Sequence, residues 1–137
     1  MSRTAFQNLV IYQLSERLAQ EVWKLTQNWK PFDRDTVGKQ VVRAADSIGA
    51  NIAEGFGRGN GPDQKRFIRI ARGSAYEVKH WLRLAFARGL VSDRQVESLK
   101  PLLEELCPKL NAYLKAIGTL KPRPTNNSLQ STVDLQH

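Results

Sequence analysis

Three short patterns in this 137-residue sequence contain residue types that could do chemistry. Glu77 and His80 have the Glu-x-x-His spacing that di-iron helical bundles use twice, together with two further carboxylates. The glycine-rich run at 55–61 has the composition of a phosphate-binding loop. The single cysteine, Cys107, could in principle act as a nucleophile. These patterns would suit metal, phosphate and thiol chemistry respectively.

Each of the three patterns is incomplete. A second Glu-x-x-His is missing, and the other histidine, His137, is the last residue of the sequence. The glycine run follows a predicted helix rather than a strand and lacks the Gly-Lys-Ser/Thr ending of a P-loop. Cys107 lies among leucines on an apolar helix face. We therefore expect no catalytic residue, no metal and no cofactor, and we predict that the protein is not an enzyme.

Helical periodicity in four segments predicts the elements that position these residues. Apolar residues recur three or four apart within 8–30, 35–54, 63–88 and 93–117, and prolines or glycines separate the segments. Pro31 is expected to end the first helix. Ser92 and Gln95 have the spacing of a capping box at the start of the fourth, whereas Pro101 and Pro108 predict a bend within it.

These segments predict one all-α domain. No segment alternates as a strand does, and the short connections favour an antiparallel, up-down-up-down four-helix bundle over residues 6–118. Residues 119–137 are expected to form a disordered tail. The apolar stripe predicted for the third helix consists of Phe67, Ile70, Ser74, Val78, Trp81 and Ala85.

Positive charge is concentrated in the third predicted helix. The chain has 21 Lys and Arg against 13 Asp and Glu, a net charge of +8. Residues 63–88 contain seven basic residues and two acidic ones, a local balance of +5. At helical spacing one face collects what we call the basic row: Lys65, Arg69, Arg72, Tyr76, Lys79 and Arg83. An ordinary solvated face is the alternative, but such faces usually mix both signs of charge.

The basic row predicts an anionic partner. Lysine and arginine on phosphates give affinity without a base code, so the row is a candidate nucleic-acid-binding surface. Arg66 and Arg58 extend the candidate set, Arg58 because it lies within the glycine run, and Tyr76 could stack on unpaired bases. An acidic protein surface would satisfy the same charges. The sequence therefore leaves a protein–protein adaptor, without nucleic acid, as the alternative function.

The second predicted helix has a polar stripe beside small residues. Gln40, Arg43, Ser47, Asn51, Glu54 and Arg58 share one face. We expect this face to pack against another helix or another subunit, with Glu77 as the partner of Arg43, because an unpaired buried charge is costly. An ordinary exposed face is the alternative. The weakest functional hypothesis is a metal or small-molecule enzyme that uses Glu54, Glu77 and His80.

Three stretches carry a resemblance to a known family. Residues 40–55 read Q-x-x-R-A-x-x-S-I-x-A-N-I-A-E-G, residues 6–13 resemble an F-x-x-L-x-V-W-Q opening, and residues 70–77 read I-A-x-G-S-x-x-E. They resemble the bacterial four-helix-bundle proteins encoded within intervening sequences of large-subunit rRNA genes. That family also includes the accessory variability determinant of diversity-generating retroelements. Asp46 departs from the pattern, because the family usually has an apolar residue there.

The resemblance implies a homopentameric ring, and in the retroelement members of the family it implies nucleic-acid binding and contact with a reverse transcriptase. The positions that match the motifs are assigned to helix and subunit packing: Arg43, Ser47, Asn51, Glu54, Gly73, Ser74 and Glu77. The leading hypothesis is a non-enzymatic, oligomeric nucleic-acid-binding protein. We expect it to be cytoplasmic, since no signal peptide or membrane span is evident and one cysteine excludes an internal disulfide.

Overall fold

The computed structural model describes Phe6 and residues 9–118, and this part of the chain is all-α. Helix α1 spans Val10–Thr26. The next helix is continuous and consists of α2 (Pro31–Asp33), a π-helical stretch (Arg34–Gly38) and α3 (Lys39–Gly57). Helix α4 spans Pro62–Ala87 and α5 spans Asp93–Ala116. The tail predicted for 119–137 lies outside the described residues.

The helix ends confirm one sequence prediction in detail and correct another. Ser92 Oγ accepts a hydrogen bond from Gln95 N at 3.1 Å, and Gln95 Oε1 accepts one from Ser92 N at 2.9 Å, so the capping box is present. Helix α5 continues through Pro101 and Pro108. The role given to Pro31 was wrong: α1 ends at Thr26, and Pro31 begins the next helix. Proline suits that first position because its nitrogen needs no partner there.

One apolar core holds the four long helices together. It includes the fully buried side chains of Leu18 on α1, Ile48 on α3, Ile68 on α4 and Leu106 on α5. A second, smaller cluster of Val37, Ala85 and Val91 packs against Trp29 and Trp81. Fully burying one such aliphatic side chain stabilises the fold by about 1.5–3 kcal/mol.

The buried face of α4 differs from the predicted stripe. Ser74, Val78 and Ala85 are buried as predicted, but Ile70 is 42% exposed, and Phe67 and Trp81 are half-buried. The other buried positions are Gln64, Ile68, Ala71, Ala75 and Leu82. Small alanines occupy this face because α3 approaches closely: a Cβ on Gly55 would lie 3.1 Å from Phe67 Cβ. The buried face of α4 is therefore rotated about the helix axis relative to the predicted stripe. It includes alanines, which a search for large apolar residues does not detect.

Candidate functional site

The basic row lies along α4, on a helix face about 100° from the face buried in the core, because each residue of the row directly follows a buried one. Arg69, Tyr76, Lys79 and Arg83 are exposed, and Lys65 and Arg72 are half-buried. At 1.5 Å of rise per residue the row is about 27 Å long. The helix thus presents the predicted residues on one surface.

The charges of the basic row are not neutralised within the chain. Among the described residues, none of its lysines and arginines forms an ion pair with a carboxylate. Arg72 Nη1 donates to Asn111 Oδ1 of α5 at 3.1 Å, which fixes this guanidinium against α5 while leaving its charge unpaired. Lys79 Nζ lies 5.2 Å from the ring centroid of Tyr76. One side of that ring is therefore already in contact with a cation.

Arg58 and Arg66 lie in a different environment, at the turn between α3 and α4. Arg58 pairs with Glu54 at 2.9 Å and with Asp63 at 3.5 Å, and Arg66 pairs with Asp63 at 3.1 Å. Both guanidiniums also lie over the Phe67 ring, at 5.1 Å and 4.4 Å. The structure thus separates these two predicted binding residues from the basic row, because local carboxylates and a ring already engage them.

Part of the polar stripe predicted for the second helix, which is α3 in the structure, lies between α3 and α4. Ser74 Oγ donates to Ser47 Oγ at 3.0 Å, and Asn51 Nδ2 donates to Ser47 O at 2.8 Å and to Ser47 Oγ at 2.9 Å. Ser74 is buried, and the other two side chains are half-buried. Through the bond between the Ser74 and Ser47 hydroxyl groups this network joins α3 to α4.

The remaining packing residues are exposed in the single chain. Glu77 does not pair with Arg43 as predicted; its Oε2 accepts a hydrogen bond from Trp81 Nε1 at 3.1 Å. Arg43 and Glu54 are exposed as well, and Glu54 binds Arg58. Gly73 is exposed, with nothing within 4 Å of the position that its Cβ would take. Within the described part of the chain Glu54 and Glu77 take part only in these local pairs, and the packing role assigned to the four positions stays a prediction.

In the described part of the chain, the residues that could do metal or thiol chemistry are not assembled into a site. Glu54 and Glu77 are engaged by Arg58 and Trp81, and His80 stacks edge-on against Trp81 at 5.0 Å. Over residues 9–118 and Phe6, no three His, Cys, Asp or Glu side chains are grouped as metal ligands would be. Cys107 is buried in the apolar core.

A groove that the sequence did not predict runs between α4 and α5, next to the basic row. It has a volume of about 520 Å³ and is lined by Tyr76, Lys79 and Arg83 of the row and by further residues of both helices. Phe86 and Lys100 belong to it, and neither was singled out in the sequence. The position of Phe86 could have been recognised in the sequence, because Phe86 lies at helical spacing from Lys79 and Arg83. Its pairing with Lys100 depends on how α4 and α5 pack.

Two titratable groups away from the basic row have shifted pKa values. Partial burial raises the pKa of Asp46 above the usual aspartate range. Burial, and then the charge of Glu16, raise the pKa of Tyr12. Partial desolvation disfavours the charged form of the Asp46 carboxylate, and this is the physical cause of its raised pKa.

Comparison with known families decides what kind of protein carries this surface. The model of the family described as "23S rRNA-intervening sequence protein" matches residues 7–112. The chain belongs to this family. The match includes α1, α3 and α4 in full, most of α5 and the whole of the basic row.

A solved relative has the same fold as this family member. It is a protein of unknown function from the S23 ribosomal protein family of Bacteroides thetaiotaomicron. The two chains align with a TM-score of 0.67 and 26% identity, over 77% of this chain and 99% of the other. No curated protein matches the sequence significantly. None of the described helices is long and apolar enough to cross a bilayer.

Proposed function

We propose that this family member is a non-enzymatic, homo-oligomeric protein that binds nucleic-acid backbones, RNA in the first place, through the basic row of α4. The observation that carries the proposal is the absence of any carboxylate partner for the row's lysines and arginines among the described residues. RNA is placed first because the family is described by its link to 23S rRNA.

The chemistry of the row sets the mode of binding. Lysine and arginine contacts to phosphates release condensed counterions, so affinity depends strongly on salt and only weakly on sequence. A row of about 27 Å is as long as about eight phosphate steps along one strand of a duplex. Arg72, which Asn111 already orients, would lose little side-chain freedom on binding a phosphate.

Self-assembly is the second part of the proposal. A glycine inside a helix destabilises it by about 0.5–1 kcal/mol relative to alanine. Gly73 has no neighbour within the protomer that excludes a methyl group, so a closely packed second copy would account for it. Arg43 is exposed and free of described partners, as an intersubunit residue would be. A pentameric ring of antiparallel, up-down-up-down bundles, as the family resemblance implies, would repeat the row around the particle and raise its avidity.

The resemblance also indicates a cellular compartment and a protein partner. It points to the cytoplasm and, through the retroelement accessory proteins, to a reverse transcriptase as a protein partner. Gene neighbourhood tests this part directly. An adjacent reverse transcriptase with a template repeat would support it, whereas an rRNA operon without a reverse transcriptase would remove that partner and leave RNA binding.

Charge reversal within the basic row tests nucleic-acid binding. The variant Arg69→Glu with Arg72→Glu should abolish binding of a fluorescein-labelled single-stranded RNA 20-mer at moderate salt, with unchanged circular dichroism and oligomer size. The matched control, Lys30→Glu with Lys39→Glu, changes net charge equally at exposed positions off α4. Undiminished binding by the first variant, or equal loss by the control, would refute the proposal.

Bulk at Gly73 tests self-assembly. Gly73→Leu should lower the sedimentation coefficient without loss of helix content, because the protomer has room for the side chain. Ala87→Leu places the same side chain at another exposed position of α4 and should leave the oligomer intact. An unchanged oligomer in Gly73→Leu would contradict the role assigned to this glycine.

A further inference from the structure

The groove between α4 and α5 has an apolar floor that the basic row does not explain. Leu82 and Leu99 form its base, with 9% and 3% of their surface exposed. Val96 of α5 is half-buried beside them. Tyr76 and Phe86 stand on the α4 side and are 50% and 47% exposed. Two large rings are thus left half in water beside an aliphatic surface.

Positive charges border this apolar floor on both sides. Lys79 and Arg83 extend from α4 and Lys100 from α5, against one lining carboxylate, Asp93. None of the three cations has an ion pair among the described residues. An occupant that matches the groove must therefore offer apolar side chains to the floor and acidic groups to both edges.

These features fit a protein helix better than a nucleobase. A base needs hydrogen-bonding partners for its edges. The leucine and valine side chains of the floor offer none, and such partners lie only among the polar residues that line the rest of the groove, His80 and Asp93 included. The Tyr76 ring is already in contact with Lys79 Nζ at 5.2 Å, so one of its faces is not free for stacking. An amphipathic helix places apolar residues three or four apart on one side and can carry acids beside them.

We propose that this groove binds an acidic amphipathic helix of a partner protein. The α4 wall from Tyr76 to Phe86 is about 15 Å long, the length of about ten helical residues. That length accommodates three apolar anchors at positions i, i+4 and i+7 of the partner helix. Aspartate or glutamate on both sides of the anchors would meet Lys79 and Arg83 along one edge and Lys100 along the other.

A synthetic peptide supplies the test. The probe is a fluorescein-labelled 16-residue helix with leucines at i, i+4 and i+7 and glutamates and alanines elsewhere, and its control is a scramble of the same composition. Fluorescence anisotropy should show saturable binding of the probe to the full chain and at least about tenfold weaker binding of the scramble. Phe86→Ser should weaken probe binding about tenfold, because it removes a ring from the wall.

Two further variants separate this site from neighbouring surfaces. Ile70→Ser removes an apolar side chain of similar exposure, 42%, from the same helix outside the groove, and should bind the probe normally. Arg69→Glu with Arg72→Glu should lose RNA yet keep the probe, because neither residue lines the groove. Phe86→Ser should keep RNA. Failure of RNA binding and failure of helix binding are thereby distinguishable.

Four outcomes would overturn the proposal. These are no binding of the probe, equal binding of the scramble, an equal effect of Phe86→Ser and Ile70→Ser, and a loss of self-assembly in Phe86→Ser. The last result would assign the groove to a second copy of this chain. A fifth outcome, loss of RNA binding rather than of peptide binding in Phe86→Ser, would also overturn the proposal and assign the groove to a nucleobase.

Discussion

The salt dependence of RNA binding gives the most quantitative prediction. Replacing Arg69 and Arg72 by glutamine removes two of the five cations of the basic row without adding negative charge. On a single strand, each phosphate contact contributes about −0.7 to the slope of log affinity against log salt. Five contacts on one protomer predict a slope of about −3.5, and the double variant predicts about −2.1.

The corresponding affinities are readily measured. Between 50 and 200 mM salt the parent protein should lose about a hundredfold in affinity, and Arg69→Gln with Arg72→Gln about twentyfold. The assay is anisotropy of a labelled single-stranded RNA across a salt series. Lys30→Gln with Lys39→Gln is the charge-matched control and should keep the parent slope. Engagement of several protomers would steepen the parent and control slopes, and the arginine variant would stay shallower than both.

A parent slope near zero would refute the reasoning, because no ion release would then accompany binding. The same conclusion would follow if the arginine variant and the lysine control had equal slopes. Binding would then depend on overall charge rather than on the basic row of α4.

Three further predictions concern the fold that presents the row. Gly55→Val should lower the free energy of unfolding by about 2 kcal/mol, because its side chain meets Phe67 at the α3–α4 contact; urea denaturation measures it. Ser92→Ala removes the capping box and should cost about 1 kcal/mol in the same assay. The raised pKa of Asp46 means that ionisation disfavours the folded state, so stability is lost as pH rises through the aspartate range. Asp46→Asn should therefore be more stable than the parent at pH 7, and a urea series toward acidic pH should abolish that advantage.

Local signals in the sequence were sufficient for much of the fold. The capping box at Ser92 depends on two residues three apart and could be recognised without tertiary information. Pro31 was predicted to end the first helix, whereas it begins the next one. The two roles are hard to distinguish because proline both ends a preceding helix and suits the first position of the next. The predicted buried face of α4 differs from the observed one because alanines such as Ala71 and Ala75 become core residues only when another helix packs closely.

The candidate site was predictable only where one helix supplies it. Lys65 to Arg83 lie at one helical spacing, so their common face follows from the sequence alone. The contact of Arg72 with Asn111 and the placing of Lys100 beside Phe86 depend on the packing of α4 against α5. No single-helix pattern contains that information. The pairing of Arg58 with Asp63 likewise depends on the geometry of the α3–α4 turn, whereas Glu54 lies four residues before Arg58 and that pairing could be recognised in the sequence.

The central claim is that the basic row remains accessible in the assembled protein and contacts RNA. Acetylation of lysines in the native protein, read by mass spectrometry with and without a single-stranded RNA 20-mer, tests it most directly. We predict that Lys65 and Lys79 react in the free protein and are protected by RNA, while exposed Lys39 reacts equally in both. Unreactive Lys65 and Lys79 in the free protein, or full reactivity with RNA bound, would contradict the claim.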